Sequence, residues 1–290
     1  MEKKVLITGA TGATGKNATA NLLAQQIPVR ALVHKQDERS DQLKNLGAEI
    51  VEGDLTDLDA MTQALQGITS AYFVYPIQVP GILDATAYFI QAAIEAKVGH
   101  IVNMSQRTSR RESPSHGAQN HWISERLFDY SGIPVTHLRP TLFAEWLQYF
   151  SAEIKHNNRL LTPFTEARYA MVAGEDTGRV ISTVIAQPEG HLGQTYELYG
   201  PEELTQLEVS QILSEELGKT ISYVPMDAGS FGEVLKANQF TPYFIQHAEG
   251  ITKDFNEGFS NGMNDNIEKI TGRKPLSIRD YIRQNINLFN

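Results

Sequence analysis

An α/β fold built on a doubly wound parallel sheet is predicted by three features of this 290-residue chain. Short β-rich runs alternate with helical patterns through the first half, the rhythm of a parallel sheet covered by helices on both faces. The first run, Lys4-Val-Leu-Ile-Thr8, passes through Gly9-Ala-Thr-Gly12-Ala-Thr-Gly15 into a helical pattern carrying Ala18, Leu22 and Leu23. A buried strand that hands a glycine turn to a helix N-terminus brings bare backbone amides and partial positive charge to one point, which suits a pyrophosphate. After Pro140 the rhythm breaks, and helices mix with isolated strands in a smaller, mainly helical C-terminal lobe.

In chain order, Val5–Thr8 is an apolar strand stopped by glycine, and the helix over Gly12–Gln26 brings its leucines to one side. Val29–His34 is the second strand, followed by a helix over Asp37–Leu46. The unit repeats with strand Glu49–Gly53 and helix Leu58–Leu65, strand Ala71–Tyr75 and helix Ile82–Ala96, then strand His100–Ser105 and helix His116–Tyr130. Val135–Leu138 is the sixth strand. Right-handed crossovers then give the Rossmann order 3-2-1-4-5-6, in which ligands bind outside the carboxyl ends of the strands. Farther on, a helix over Asp176–Ala186 and a strand over Thr195–Tyr199 are expected to return to the large sheet as one further strand. An amphipathic helix over Leu204–Leu217, a short strand over Ile221–Val224 and a mainly helical tail from Phe231 complete the lobe. Residues 1–150 are thus expected to form a dinucleotide-binding domain, rejoined by 176–200, with 151–290 as a smaller substrate lobe across a cleft.

Composition narrows the partners. A net charge of -9 opposes bulk affinity for nucleic acid or an anionic membrane, both of which need a basic surface. The absence of cysteine excludes disulfides, thiolate catalysis and thiolate-bound metal. The apolar region from Ile68 to Leu83 is broken by Pro76, Gln78 and Pro80, and Val5-Leu6-Ile7 is too short for a signal-peptide core. A cytoplasmic protein, monomeric or homodimeric, that handles a small molecule is expected.

For a dinucleotide, Gly9, Thr11, Gly12, Thr14 and Gly15 would hold the pyrophosphate. The end of the second strand chooses between NAD and NADP, a carboxylate taking the ribose hydroxyls and a cation the 2′-phosphate. Here His34 and Lys35 stand there with Arg39 one turn later, which points to NADP. NAD stays as the alternative because Asp37 and Glu38 lie close, and Lys35 and Arg39 also suit a solvated helix start. Asp54 and Leu55, after the third strand, either meet the adenine or, for Asp54, cap the next helix. Tyr75 and Pro76, after the fourth, fall where the nicotinamide ribose would pass.

Short-chain dehydrogenases commonly pair a serine after strand five with Tyr-x-x-x-Lys on the next helix, the lysine lowering the phenol's pKa. Ser105 occupies the serine position, but no tyrosine here has lysine four residues later; the helix offers His121-Trp-Ile-Ser-Glu125 instead. Together with the glycine turn, the run Ser131-Gly-Ile-Pro-Val-Thr136-His-Leu-Arg139-Pro140 and the segments Tyr196-Glu-Leu-Tyr-Gly200-Pro-Glu-Glu-Leu and Leu217-Gly218-Lys, the chain resembles the NmrA-like group of atypical short-chain dehydrogenases/reductases, especially its bacterial NADPH-dependent quinone reductase and triphenylmethane-dye reductase branch. The resemblance reaches to about residue 225. It implies a Rossmann domain binding NADP(H), a small C-terminal lobe, and reduction of quinones or similar conjugated aromatics without the Tyr/Lys dyad. Some relatives bind dinucleotide and act instead as redox sensors or co-regulators. Many carry arginine at the position of His34, which puts Lys35 forward as its substitute.

His121 and Glu125, one helical turn apart, would hold an imidazole in a chosen tautomer as a proton donor, with Ser105 beside them, or else form a satisfied buried pair. A third metal ligand is missing, so no metal is expected. The three arginines of Gln106–Pro114, at the cleft mouth, would attract an anionic cofactor or substrate or, as the preferred reading, form a solvated lid. Phe143, Trp146 and Phe150 would line a flat apolar substrate slot or belong to the core. Hydride transfer to a quinone or cationic dye needs placement and exclusion of water but no acid at the substrate oxygen. The leading expectation is therefore an NAD(P)H-dependent reductase of quinone-like or conjugated aromatic acceptors. The alternatives are a dinucleotide sensor acting through a protein partner and a nucleotide-sugar epimerase-like enzyme, which normally needs the absent dyad.

Overall fold

A computed structural model describes residues 3–165 and 167–290. The elements in chain order are β1 (Val5–Ile7), α1 (Ala13–Ala24), β2 (Val29–Val33), α2 (Glu38–Asn45), β3 (Glu49–Glu52), α3 (Leu58–Leu65), β4 (Ser70–Phe73), α4 (Ile82–Glu95), β5 (His100–Met104), α5 (His116–Tyr130) and β6 (Val135–Pro140). They continue with α6 (Trp146–Tyr149), α7 (Ser151–Asn157), β7 (Arg159–Thr162), α8 (Gly174–Ala186), β8 (Thr195–Leu198), α9 (Gln206–Leu217) and β9 (Ser222–Pro225). The tail holds α10 (Ala228–Ala237), α11 (Pro242–Asn256), α12 (Asn266–Thr271), α13 (Ile278–Gln284) and α14 (Ile286–Phe289).

The large sheet is parallel throughout, in the order β3-β2-β1-β4-β5-β6-β8. This is the expected order, and β8 is the expected further strand, with Leu138 opposite Tyr196 and Pro140 opposite Leu198. Successive side chains of β1 face opposite ways. Val5 and Ile7 join a cluster with Ala18 and Leu22 of α1 and Val180 and Val184 of α8, while Leu6 joins Met61, Phe89 and Phe128 on the other face. All three β1 residues are fully buried, which is why the strand reads as a continuous apolar run.

The helices begin on side chains that take up their free N–H groups. Asp37 caps α2 in a reciprocal box with Ser40, Asp57 caps α3, and Ser115 caps α5. At the switch point, where connections from β1 and β4 leave to opposite faces, the Thr8 hydroxyl accepts from the Val74 amide at 2.9 Å and ties the two strand ends together. A crevice therefore opens beyond these ends.

The second small sheet was only half legible. β9 was expected at Ile221–Val224, whereas its parallel partner β7, four residues entered through the left-handed Asn158 (φ 52°), carries too short a pattern to be read alone. β7, α6, α7, α9, α10, α11, α13 and α14 share a third cluster around Ile154, Leu213, Phe244 and Phe289, and Ile221 and Met226 join it at either end of β9.

Candidate active site

A cleft of about 1100 Å³ opens at the carboxyl ends of β1, β4, β5 and β6 and is closed on its far side by α6 and α11. At one end lies the glycine turn. Gly9 has φ +54°, and a Cβ there would stand 2.6 Å from a Val74 methyl, so glycine is required for both backbone and space. Gly12 is the N-cap of α1 and offers no side chain, leaving the first-turn amides open to the cleft. Gly9, Thr11, Gly12 and Thr14 line it. Gly15 does not, because it lies beneath the turn, where a Cβ would come 2.3 Å from the Gly9 carbonyl oxygen. Its role is to let helix and turn pack together. Lys16, a cation directly after the last glycine and no part of the glycine pattern itself, also lines the cleft. Across from it, Glu145 accepts from the Gly174 amide through both carboxylate oxygens at 3.0 and 3.1 Å. Burial raises the Glu145 pKa, and the Gly174 amide and Lys16 offset this only in part. The bare helix start, the cradle that any Cβ would crowd and the nearby ammonium fit a diphosphate.

Beyond β2 the cation that reaches the cleft is Arg39, held by Asp37 through Nε and Nη2 at 2.9 and 2.6 Å. His34 and Lys35 are exposed and do not line it. Asp54 neither lines it nor caps α3, since Asp57 takes the cap. Asp54 instead accepts from the amide and hydroxyl of Thr56 at 2.8 and 2.7 Å, which keeps its pKa below the usual carboxylate range. Leu55 packs against the core face that holds Leu32 and Met61.

At the opposite end Tyr75, Pro76, Ser105 and His121 line the cleft, and the Tyr75 hydroxyl donates to the Pro80 carbonyl at 2.9 Å. Glu125 does not line it, and the expected His121–Glu125 pair does not form. Arg139, arriving from β6, takes both Glu125 oxygens at 2.8 and 2.5 Å, a bidentate geometry that an imidazole on the same helix cannot match. His121 Nδ1 is left buried without a partner among the described residues. Burial lowers the His121 pKa to about 4, so the ring is neutral near pH 7. For Glu125 burial pushes upward, but Arg139 and the Ser105 hydroxyl outweigh it and the carboxyl sits below its ordinary value. Glu125→Gln would strand a half-buried guanidinium, and urea unfolding should show a loss of about 3–5 kcal/mol. An unchanged urea midpoint would mean that the pair carries no stability.

The aromatic wall contains Phe143 and Trp146 but not Phe150, which turns into the C-terminal core against Phe231 at 6.2 Å. Tyr149 takes the cleft position instead, one residue earlier in the turn. Residues of α11 complete the wall: Phe244 stacks on Trp146 at 6.1 Å, and His247, Ile251 and Phe255 follow. Their helical spacing was visible in the sequence, but the same stripe suits any buried helix. The arginine loop is no solvated lid. Arg107 lines the cleft and donates to the Tyr199 hydroxyl at 2.7 Å, while Arg110 grips the fully buried Asp254 of α11 at 2.8 and 2.6 Å; only Arg111 is exposed. Among the described residues no three His, Asp or Glu side chains gather as metal ligands, and no helix is long and apolar enough to cross a membrane.

The sequence profile of the NmrA-like family matches residues 1–282. The NAD(P)H azoreductase of Xenophilus azovorans is 23% identical over 287 residues, covering 98% of this chain and 99% of that protein. The structure of the NADPH-dependent quinone oxidoreductase QOR2 of Escherichia coli, complexed with NADPH, superposes with a TM-score of 0.86 at 22% identity, over 98% of this chain and 100% of the other. NmrA, a negative transcriptional regulator solved with NAD, does so with a TM-score of 0.80 at 16% identity, over 98% and 95%.

Proposed function

The chain belongs to the NmrA-like family, and from that premise we propose that it is an NAD(P)H-dependent reductase of quinone-like or other conjugated aromatic acceptors. The observation that carries this reading is the continuity of one cleft, from an uncapped glycine-turn helix at one end to Trp146, Tyr149 and Phe244 at the other. Gly9, Thr11, Gly12, Thr14 and Lys16 would hold a diphosphate, and a reduced nicotinamide bound beyond them would supply the hydride. Tyr75, Phe143 and Trp146 exclude water and orient a flat acceptor beside it. No Tyr/Lys dyad stands ready to protonate an alkoxide, which suits acceptors whose reduced oxygen is stable without an enzymic acid. Purified protein should oxidise NADPH in the presence of naphthoquinones, azo dyes or triphenylmethane dyes. Binding of NADPH with no oxidation across that panel would overturn the reading and favour a non-catalytic cofactor sensor; the NmrA structure with NAD is that of a negative transcriptional regulator.

The place of Arg39 on the cleft wall, which Lys35 does not share, supports Arg39 ahead of Lys35 as the residue to meet a 2′-phosphate. Arg39→Ala should weaken NADPH roughly ten- to a hundredfold and NADH little, with a smaller effect of Lys35→Ala. Calorimetric titration of both cofactors checks this. Equal wild-type affinity for the two would make NAD the better assignment.

A further inference from the structure

One polar group facing the aromatic end of the cleft has no role in the scheme above: His247, on α11. It is 4% exposed and packs against α5 at Gly117, where a Cβ would come 2.7 Å from its Nδ1. Its Nδ1 lies 2.7 Å from the hydroxyl of Ser115, which is itself fully buried. That hydroxyl already accepts from the Ala118 amide at 3.1 Å. Its hydrogen has no other acceptor among the described residues, so the arrangement that satisfies both groups has Ser115 donating to Nδ1. The proton of the neutral ring is then on Nε2. Nε2 makes no hydrogen bond among the described residues, yet unlike His121 Nδ1 it is not sealed off, and the space it borders is the cleft.

We propose that His247 recognises the acceptor: its Nε2–H donates a hydrogen bond to the carbonyl oxygen of a neutral, flat acceptor of quinone or enone type lying against Trp146 and Phe244. The inference rests on the reductase reading and narrows its substrate class. Two-electron reduction of a quinone breaks one C–H bond of the dihydronicotinamide, moves hydride to the quinone and leaves negative charge on an oxygen. His247 stabilises that oxygen and keeps its own proton, and water supplies the proton that completes the hydroquinone. A donor beside the apolar side chains Phe244, Ile251 and Phe255 of α11 is most valuable where charge develops. A cationic dye without such an oxygen gains nothing from it, so the site discriminates in favour of oxygen-bearing acceptors.

The test compares wild type with His247→Phe, which keeps the ring volume, and His247→Gln, whose amide N–H replaces Nε2–H. The ratio of kcat/KM for a naphthoquinone to that for a cationic triphenylmethane dye should fall about tenfold or more in His247→Phe and recover in His247→Gln. Melting temperature and NADPH affinity identify a variant that merely misfolds. Independently of turnover, ¹⁵N-histidine NMR of the wild type with oxidised cofactor should show His247 as the Nε2–H tautomer, its resonance moving when naphthoquinone is added. An Nδ1–H tautomer, a resonance indifferent to quinone, or a ratio unchanged in His247→Phe overturns the proposal. A quinone-dependent shift in a protein that fails to oxidise NADPH with any acceptor of the panel keeps the oxygen site and removes the reductase reading, so the two fail separately.

Discussion

Gly15→Val should lose dinucleotide binding by more than a hundredfold and unfold at markedly lower urea concentration. A Cβ at this position meets the Gly9 oxygen at 2.3 Å, the Ala10 Cα at 2.8 Å and the Gly9 carbonyl carbon at 2.9 Å. All three are backbone atoms of the turn, so nothing can swing aside and α1 must lift. It cannot lift alone. Gly178 of α8 sits so close to α1 that its own missing Cβ would stand 2.6 Å from Asn17 Cβ, and Ala18 and Leu22 are packed with Val180 and Val184. Overpacking of this kind costs roughly 1–3 kcal/mol and more where backbone must move. Gly12→Ala is the contrast: its Cβ would be 3.2 Å from the Gly9 oxygen at the cleft surface, so it should lower affinity with little loss of stability. Calorimetry with NADPH and urea unfolding separate the two effects. Gly15→Val retaining both properties would show that the turn tolerates a side chain.

Mild acid should weaken the fold well before most carboxylates protonate. Burial holds His100 and His121 at about 4 and His247 at about 3, against 6.5 for an unperturbed histidine. Between those values the unfolded chain binds protons that the folded chain refuses, so stability falls as pH drops from about 6.5 towards 4. Each histidine contributes up to about 1.4 kcal/mol per pH unit, and the three together reach about 6 kcal/mol at pH 5 as an order of magnitude. That is comparable to the whole stability of many domains. Glu145 and Asp176 act the other way. Burial raises their pKa values, so the folded chain takes up their protons first as pH falls. Glu125, held low, loses its contribution only further into acid, below its unfolded value. Urea midpoints measured from pH 7.5 to 5 should therefore decline, and His100→Asn, remote from the cleft, should flatten the decline by about a third. A flat profile that His100→Asn leaves unaltered would mean that the buried rings are protonated in the folded state.

The element order through β6, the strand order of the large sheet and the glycine turn were determined by the sequence itself, because each depends on local properties. Periods of two and 3.6 residues separate strand from helix, and right-handed crossovers leave few topologies open. Gly9 answers to backbone sterics at a single position. The composition of the site was decided by tertiary structure. Glu125 has two suitors, and only the approach of β6 shows that Arg139, with its planar fork, prevails over His121. Phe150 and Tyr149 read alike as aromatics near a helix start, and the direction in which α6 presents them puts one in the core and one in the cleft. His247 lies 132 residues from Ser115, and nothing local connects them. A helical stripe such as Phe244, Ile251 and Phe255 buries equally well against a core or a ligand. The difference arises only when α11 crosses α5 at Gly117 and Arg110 fastens it through Asp254.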